Sequence, residues 1–235
     1  MKYCYSIIQK YIEFKYKNYN SCGRVYMFHQ VNDDKNQWSN SSICITKENF
    51  ESFIDKHIEN GYVFKSIDEL NEFSSSKDIF ITFDDVFLDA YNNAIIYLNK
   101  KKIPYCIFIT SEYINRDKYI TQTILKELSE NPLCIIGAHT KNHLKLRFLD
   151  EKDVKYEVSK KHLENLLNKE VSYFAFPYGS KYACSKSNIK SVQKEGYKMA
   201  FSTYSMEINK EYFKKNKFFV PRININNTTY LKWGN

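Results

Sequence analysis

Glycine and proline are scarce in this 235-residue chain, with six and four respectively. That excludes collagen-like repeats and long flexible linkers. No apolar run approaches the ~20 residues of a membrane-spanning helix, and no internal repeat or low-complexity tract divides the chain. Six cysteines occur without a CxxC pair, and Cys106 and Cys134 sit inside apolar runs (PYCIFIT, LCIIGA), where a reduced thiol acts as a small hydrophobe. A disulfide framework is therefore not expected. The start, MKYCYSIIQKYIEF, has too short an apolar stretch for an export signal and no small-residue cleavage site. The expected compartment is the cytoplasm, with peripheral contact at the inner membrane face as the furthest departure. Residues 1–24 read as an N-terminal helical extension, suited either to ordinary packing or to lying on a lipid surface.

What is abundant is aromatic and apolar: 17% and 43% of residues, including 20 Tyr and 17 Phe. Disorder is thereby excluded for the chain as a whole, and residues 25–235 suffice for one large domain. The formal charge of +8 favours anionic partners, or simply reflects lysines on solvated helix faces. No RNP-like signature, zinc-finger spacing or dense arginine cluster accompanies it, so nucleic acid is not an expected partner.

Short apolar runs alternate with longer segments of helical period. The runs 25–29, 79–83, 105–110, 134–138, 173–176, 198–202 and 218–225 are rich in Ile, Phe, Val and Tyr and read as buried strands. The spacing predicts helices over 46–60, 87–101, 151–168 and 187–195. Asp150 is a candidate N-cap, and Gly61 and Gly196 stand at C′ positions. Seven strands alternating with helices predict a parallel α/β architecture, in which reactive residues gather beyond the carboxyl ends of strands.

That rule picks out particular residues. The 79–83 run leads straight into Asp84-Asp85. Adjacent carboxylates diverge, so one can hold a metal while the other faces substrate as a base; a helix N-cap pair is the plainer reading. The 134–138 run leads into His139-Thr140-Lys141-Asn142-His143, and histidines four apart on a helical turn share a face. With Asp85 they make a two-His, one-carboxylate set suited to Zn²⁺, or to Co²⁺, Ni²⁺ or Mn²⁺; two unconnected loop histidines are the alternative. No HExxH pattern is present, Thr140 standing in the Glu position. His29 closes the first run and is a candidate acid for a leaving amine, or a structural strand-end histidine. Pro177-Tyr178-Gly179 forces a sharp turn whose backbone N–H groups can face a site, and Arg222 can clamp a carboxylate or orient the metal-site acids. Pro177, Tyr178, Gly179 and Arg222 are grouped as substrate contacts.

These segments resemble the polysaccharide deacetylase family, carbohydrate esterases built on a NodB-type domain. Ile81-Thr82-Phe83-Asp84-Asp85 resembles its first motif, the His139–His143 segment its second, and Phe174-Ala175-Phe176-Pro177-Tyr178-Gly179 its third. Tyr26-Met27-Phe28-His29-Gln30-Val31 and Pro221-Arg222-Ile223 resemble the branch related to surface-polysaccharide deacetylases. The resemblance, spanning about residues 25–225, implies a distorted (β/α)7-type barrel. It implies Asp84 as general base, Asp85, His139 and His143 as metal ligands, and the Tyr178 N–H as an oxyanion donor. It leaves the acid role to His29, expected on the side of the substrate opposite Asp84. Val86 stands where the family pattern has glycine; a positive φ there would strain the turn that carries both carboxylates. The implied activity is metal-dependent removal of an N-acetyl or related acyl group from an amino sugar of a glycan or of a nucleotide- or lipid-linked precursor. A deformylase or esterase using the same site, and a catalytically silent sugar-binding relative, are the competing readings.

Overall fold

The computed structural model describes residues 23–233; the expected N-terminal extension lies outside them, apart from its last two residues. A parallel sheet organises the fold. Its central strand, β5 (Asp78–Asp84), is buried at every position, as expected of a strand covered on both faces. On one edge lies β1 (Arg24–Phe28), and beyond it β10 (Ile223–Asn224). On the other edge follow β6 (Tyr105–Ile109), β7 (Cys134–Ala138), β8 (Tyr173–Ala175) and β9 (Met199–Phe201), with the two-residue β4 (Val63–Phe64) pairing the start of β5. A separate pair, β2 (Gln30–Val31) with β3 (Cys44–Ile45), extends the rim beyond β1.

The sheet curls until its ends nearly meet. Ser202 N–H donates to Val220 O at 2.7 Å and Ala200 N–H to Lys217 O at 3.2 Å, while Tyr26 and Met27 of β1 pair with Ile223 and Asn224. The stretch 217–225 thus bridges β9 and β1, giving the expected distorted barrel. It is not the continuous strand that its apolar run predicts. Pro221 has no N–H to donate, so the ladder breaks between the Val220 bridge and β10.

Strand parity decides where the chemistry sits. Ile79, Ile81 and Phe83 pack outward with the helices, whereas Val25, Phe80, Cys106, Phe108, Tyr173, Ala175, Met199 and Phe201 form a second, inner cluster. Continuing the inward series by twos leads to His29, Asp84, Thr110 and His139. The register sets them in two tiers: Phe28 pairs with Phe83, which puts His29 beside Asp84, while Asp84 pairs with Phe108 and Ile109 with Ala138, which puts Thr110 and His139 two residues further along. Space inside is tight, since a Cβ on Gly137 would come within 2.5 Å of the Phe108 ring.

Helices clothe the outside. Thr46 caps α1 (Lys47–Glu59), which buries Phe50, Phe53, Ile54 and His57; His57 contacts Tyr26 Oη and Phe53 O, a satisfied core histidine. Next comes α2, in three consecutive pieces: Leu88–Ala90, a π turn at Tyr91–Ile95, and Ile96–Lys101. The helix α3 (Gln122–Glu130) follows. The single helix expected over 151–168 is two, α4 (Glu151–Val158) and α5 (Lys161–Leu167), with Ser159 extended between them. The Val158 carbonyl accepts from Tyr197 Oη at 2.9 Å, which fixes the break. The remaining helices are α6 (Lys186–Lys194), α7 (Lys210–Asn216) and α8 (Tyr230–Trp233). Among the described residues, no helix is long and apolar enough to cross a membrane.

Candidate active site

At the carboxyl end of β5 the chain does something costly. Asp85 and Val86 have φ of +61° and +48°, and Thr140, His143 and Tyr178 also lie at positive φ (65°, 58° and 58°). Non-glycine residues in this region each cost of order 1–3 kcal/mol, and such strain concentrates where geometry serves chemistry. Here it turns Asp85 out of the strand direction while Asp84 stays in the inward series. The two carboxylates accordingly part ways, as their adjacency predicts.

Asp84 is 1% exposed and clamped by Arg222, whose Nη1 and Nη2 donate to Oδ1 and Oδ2 at 2.6 and 2.7 Å. Burial alone would raise this carboxyl. The Arg222 guanidinium, followed by His139, overrides it and holds Asp84 well below the usual carboxylate range. Arg222 is itself 0% exposed, donates from Nε to Ser202 O and from Nη1 to Thr82 Oγ1, and lies between the Phe108 and Phe201 rings. Its grouping with the substrate contacts is therefore corrected: all its reach is used on Asp84 and its neighbours. Pro177 and Gly179 are likewise buried and shape the turn, leaving Tyr178 exposed. Gly179 admits no side chain, because a Cβ would meet Thr203 N at 2.4 Å.

One ligand atom from each of Asp85, His139 and His143 lies within 4.8 Å of the others. Asp85 Oδ1 stands 3.5 Å from His143 Nε2 and 3.9 Å from His139 Nε2. Donors bound tetrahedrally about 2.0–2.2 Å from one ion would be spaced at about 3.4 Å, so the set needs little closure to hold a divalent cation. The surroundings agree. His139 Nδ1 contacts Ala175 O at 2.8 Å, which fixes its tautomer and leaves Nε2 with a free lone pair. Burial pushes His139 down to about 4, keeping it in the neutral form that ligates.

The 139–143 segment is not helical, as its spacing suggested, but a loop. It is fastened by the buried Glu157, which accepts from the N–H groups of Lys141 and Asn142 and from Asn142 Nδ2. Neither Glu157 nor Thr110, whose hydroxyl reaches Asp85 Oδ1 at 3.2 Å, is singled out by the sequence reading. Strand parity finds Thr110; nothing local marks Glu157.

His29 Nε2 lies 4.0 Å from Asp84 Oδ2, and His139 Nε2 lies 3.8 Å from the same oxygen. Asp84 Oδ2 is therefore near both His29 and His139, so His29 lies on Asp84's side of the site and not opposite it as expected. Burial lowers the His29 imidazole, against the opposing pull of Asp84 and Asp85. Among the described residues the Tyr178 N–H has no hydrogen-bond partner, and its ring lies 4.9 Å from that of His143.

Comparison with known proteins identifies the family and the fold. The profile of the polysaccharide deacetylases matches residues 72–200, more than half of the chain. The chain belongs to the polysaccharide deacetylase family. It is 27% identical to YxkH of Bacillus subtilis (strain 168), named for the polysaccharide deacetylases, over 76% of this chain and 63% of that one. It is 25% identical to the poly-beta-1,6-N-acetyl-D-glucosamine N-deacetylase of Staphylococcus aureus (strain N315), over 66% and 56% respectively. The chain thus spans less than two thirds of the length of these curated relatives. Among solved structures, the fold matches BC0361, a polysaccharide deacetylase from Bacillus cereus (TM-score 0.79, 21% identity, covering 90% of this chain and 67% of that one). It also matches the Streptococcus pyogenes deacetylase PplD in complex with acetate (TM-score 0.79, 19% identity, 92% and 97%).

Where the deacetylase pattern has glycine, Val86 takes the positive φ that a β-branched residue disfavours most. Its side chain is 0% exposed in the outer core, so ~1.5–3 kcal/mol of burial opposes the strain. Val86→Gly relieves that strain but loses the packing, whereas Val86→Ala loses packing and keeps the strain. The expected order is inverted from an ordinary site: the glycine variant should be at least as stable as the alanine variant in urea unfolding. An alanine variant more stable by the usual ~1 kcal/mol would show that the turn is unstrained.

Proposed function

We propose that this protein is a divalent-metal-dependent hydrolase that removes an N-acetyl group from an amino sugar within a glycan. The observation that carries the reading is the convergence of Asp85, His139 and His143 beside a separately clamped Asp84. A cation held by those three residues, Zn²⁺ by its two-imidazole, one-carboxylate donor set, supplies Lewis acidity for the amide carbonyl and for a water that a carboxylate as weakly basic as Asp84 can deprotonate.

The chain's own groups do the rest. Asp84, held in one orientation by Arg222, accepts the proton of the attacking water. The unpaired Tyr178 N–H donates to the oxygen that gains charge at the tetrahedral carbon. His29 protonates the departing nitrogen, which leaves as an amine while acetate is released; Asp84 at 4.0 Å favours the imidazolium form against its burial. The substrate named for the Staphylococcus aureus relative, a polymer of N-acetylglucosamine, is the chemical class we assign here.

The test is acetate release from N-acetylglucosamine oligomers before chelation, after it, and after Zn²⁺ is restored. Activity should vanish and return. Elemental analysis should find about one bound ion per chain in the native protein, and none in His139→Ala with His143→Ala. Unchanged metal content in that double variant, or no acetate from any N-acetylated sugar, overturns the proposal.

A further inference from the structure

His139 and His143 are held in place by different means. His139 directly follows β7, and its Nδ1 is fixed against Ala175 O. An acceptor of this kind behind the ring is what ordinarily orients a ligating histidine. His143 has none. Among the described residues its ring lies 3.5 Å from Asp85 Oδ1 and makes no hydrogen bond. Its other neighbours are the rings of Tyr178, His139 and Tyr113, at 4.9, 5.0 and 6.2 Å. The placement of His143 therefore depends on the backbone of the loop that carries it.

That backbone is strained, with Thr140 and His143 both at positive φ, and such strain persists only where the surroundings over-determine it. Two walls supply the constraint. From the loop after β6, Ser111 and Glu112 N–H donate to Thr140 O and Lys141 O at 3.3 and 3.0 Å. From α4, Glu157 takes the opposite edge of the loop. Its Oε2 accepts from Lys141 and Asn142 N–H at 3.2 and 2.8 Å, and its Oε1 from Asn142 Nδ2 at 2.7 Å.

Stability alone does not account for a glutamate at this position. It is 2% exposed, forms no ion pair among the described residues, and stands in the last turn of α4, where the helix dipole disfavours negative charge. A glutamine could accept from the same backbone N–H groups without a buried charge. A carboxylate becomes favourable once the loop it fastens holds a cation. We propose that Glu157 is the positioning residue for His143, and that through it Glu157 sets how tightly Asp85, His139 and His143 hold a divalent ion. This assignment rests on the metal reading above and deepens it.

The experiment titrates chelator-stripped protein with Zn²⁺ against a chromophoric chelator, in the absence of urea. Glu157→Ala should weaken Zn²⁺ binding by about 10–100-fold, the range for loss of an outer-shell partner. Glu157→Gln keeps an acceptor for the two backbone N–H groups and should recover most of that loss. A spectrum separates positioning from general loosening. At saturating Co²⁺ the visible absorption of Glu157→Ala should depart from wild type, because His143 no longer completes the donor set, whereas that of Glu157→Gln should match it. Should Glu157→Ala not fold, Asn142→Ala removes one bond from the half-buried loop side and should weaken Zn²⁺ binding about fivefold, the scale of one hydrogen bond. Wild-type affinity in Glu157→Ala, or in Asn142→Ala where the first does not fold, overturns the assignment and leaves the metal site standing. Equal losses in the alanine and glutamine variants with unchanged Co²⁺ spectra also overturn it, since the charge alone would then be at work. A wild-type protein that takes up no ion removes the metal reading, and this assignment with it.

Discussion

Replacing Arg222 by leucine is expected to lower stability by about 3–5 kcal/mol, the cost of breaking a buried ion pair from one side. For a domain of this size that is a drop in Tm of roughly 6–20 °C. The reason lies in what remains: Asp84, 1% exposed, would hold its charge with no partner. Lysine is not expected to rescue, because the fork that donates 2.6 and 2.7 Å bonds to both carboxylate oxygens is a property of guanidinium.

The pH dependence should reverse as well. In the wild type the Asp84 pKa lies below its unfolded value, so its contribution is present above that value and fades as pH falls through the folded pKa. Without Arg222, burial dominates and the pKa rises above the unfolded value, so stability is lost as pH increases. The variant's deficit, measured by urea unfolding of chelated protein, should therefore begin to shrink on acidification already above the unfolded carboxylate value of about 4. It should shrink further below that value as the wild type loses its own contribution. A deficit independent of pH would assign the loss to packing against Phe108 and Phe201. Asp84→Asn keeps the shape and should cost turnover ~10²–10⁴-fold while retaining the metal.

His29→Ala should slow amide cleavage by ~10²–10⁴-fold yet slow cleavage of an activated ester far less, since an amine must be protonated to leave and a phenolate need not be. Comparing kcat for an N-acetylated amino sugar and an aryl acetate on the same preparation reads the difference. Equal losses on the two substrates would reject the acid role and make His29 a positioning residue for Asp84, its neighbour at 4.0 Å.

The strands that carry the site are readable in the sequence because each is an unbroken apolar run, β5 buried throughout and β7 buried where it reaches the site. β5 and β7 announce Asp84, Asp85 and His139 by ending where polarity begins. Elements held by tertiary contacts are another matter. The two-residue strands β2, β3 and β4 have no periodicity to detect, and Pro221 interrupts a run that otherwise reads as one strand. Helix 151–168 keeps its apolar stripe across a break made by a hydroxyl from Tyr197. The grouping of Arg222 with substrate contacts, beside its reading as a clamp on the acids, has the same origin. A lone arginine beside a strand looks alike whether it faces solvent or a carboxylate 138 positions away in the chain.

That separation bears on how the protein comes into being. The guanidinium that clamps Asp84 arrives on the segment closing the barrel, 217–225, so the carboxylate proposed as base emerges from the ribosome long before its partner. A nascent chain stopped short of Arg222 carries Asp84, Asp85, His139 and His143 and still lacks an ordered proton acceptor. Under the proposed function, a protease cut in the 217–225 stretch should abolish acetate release while Asp85, His139 and His143 remain in place.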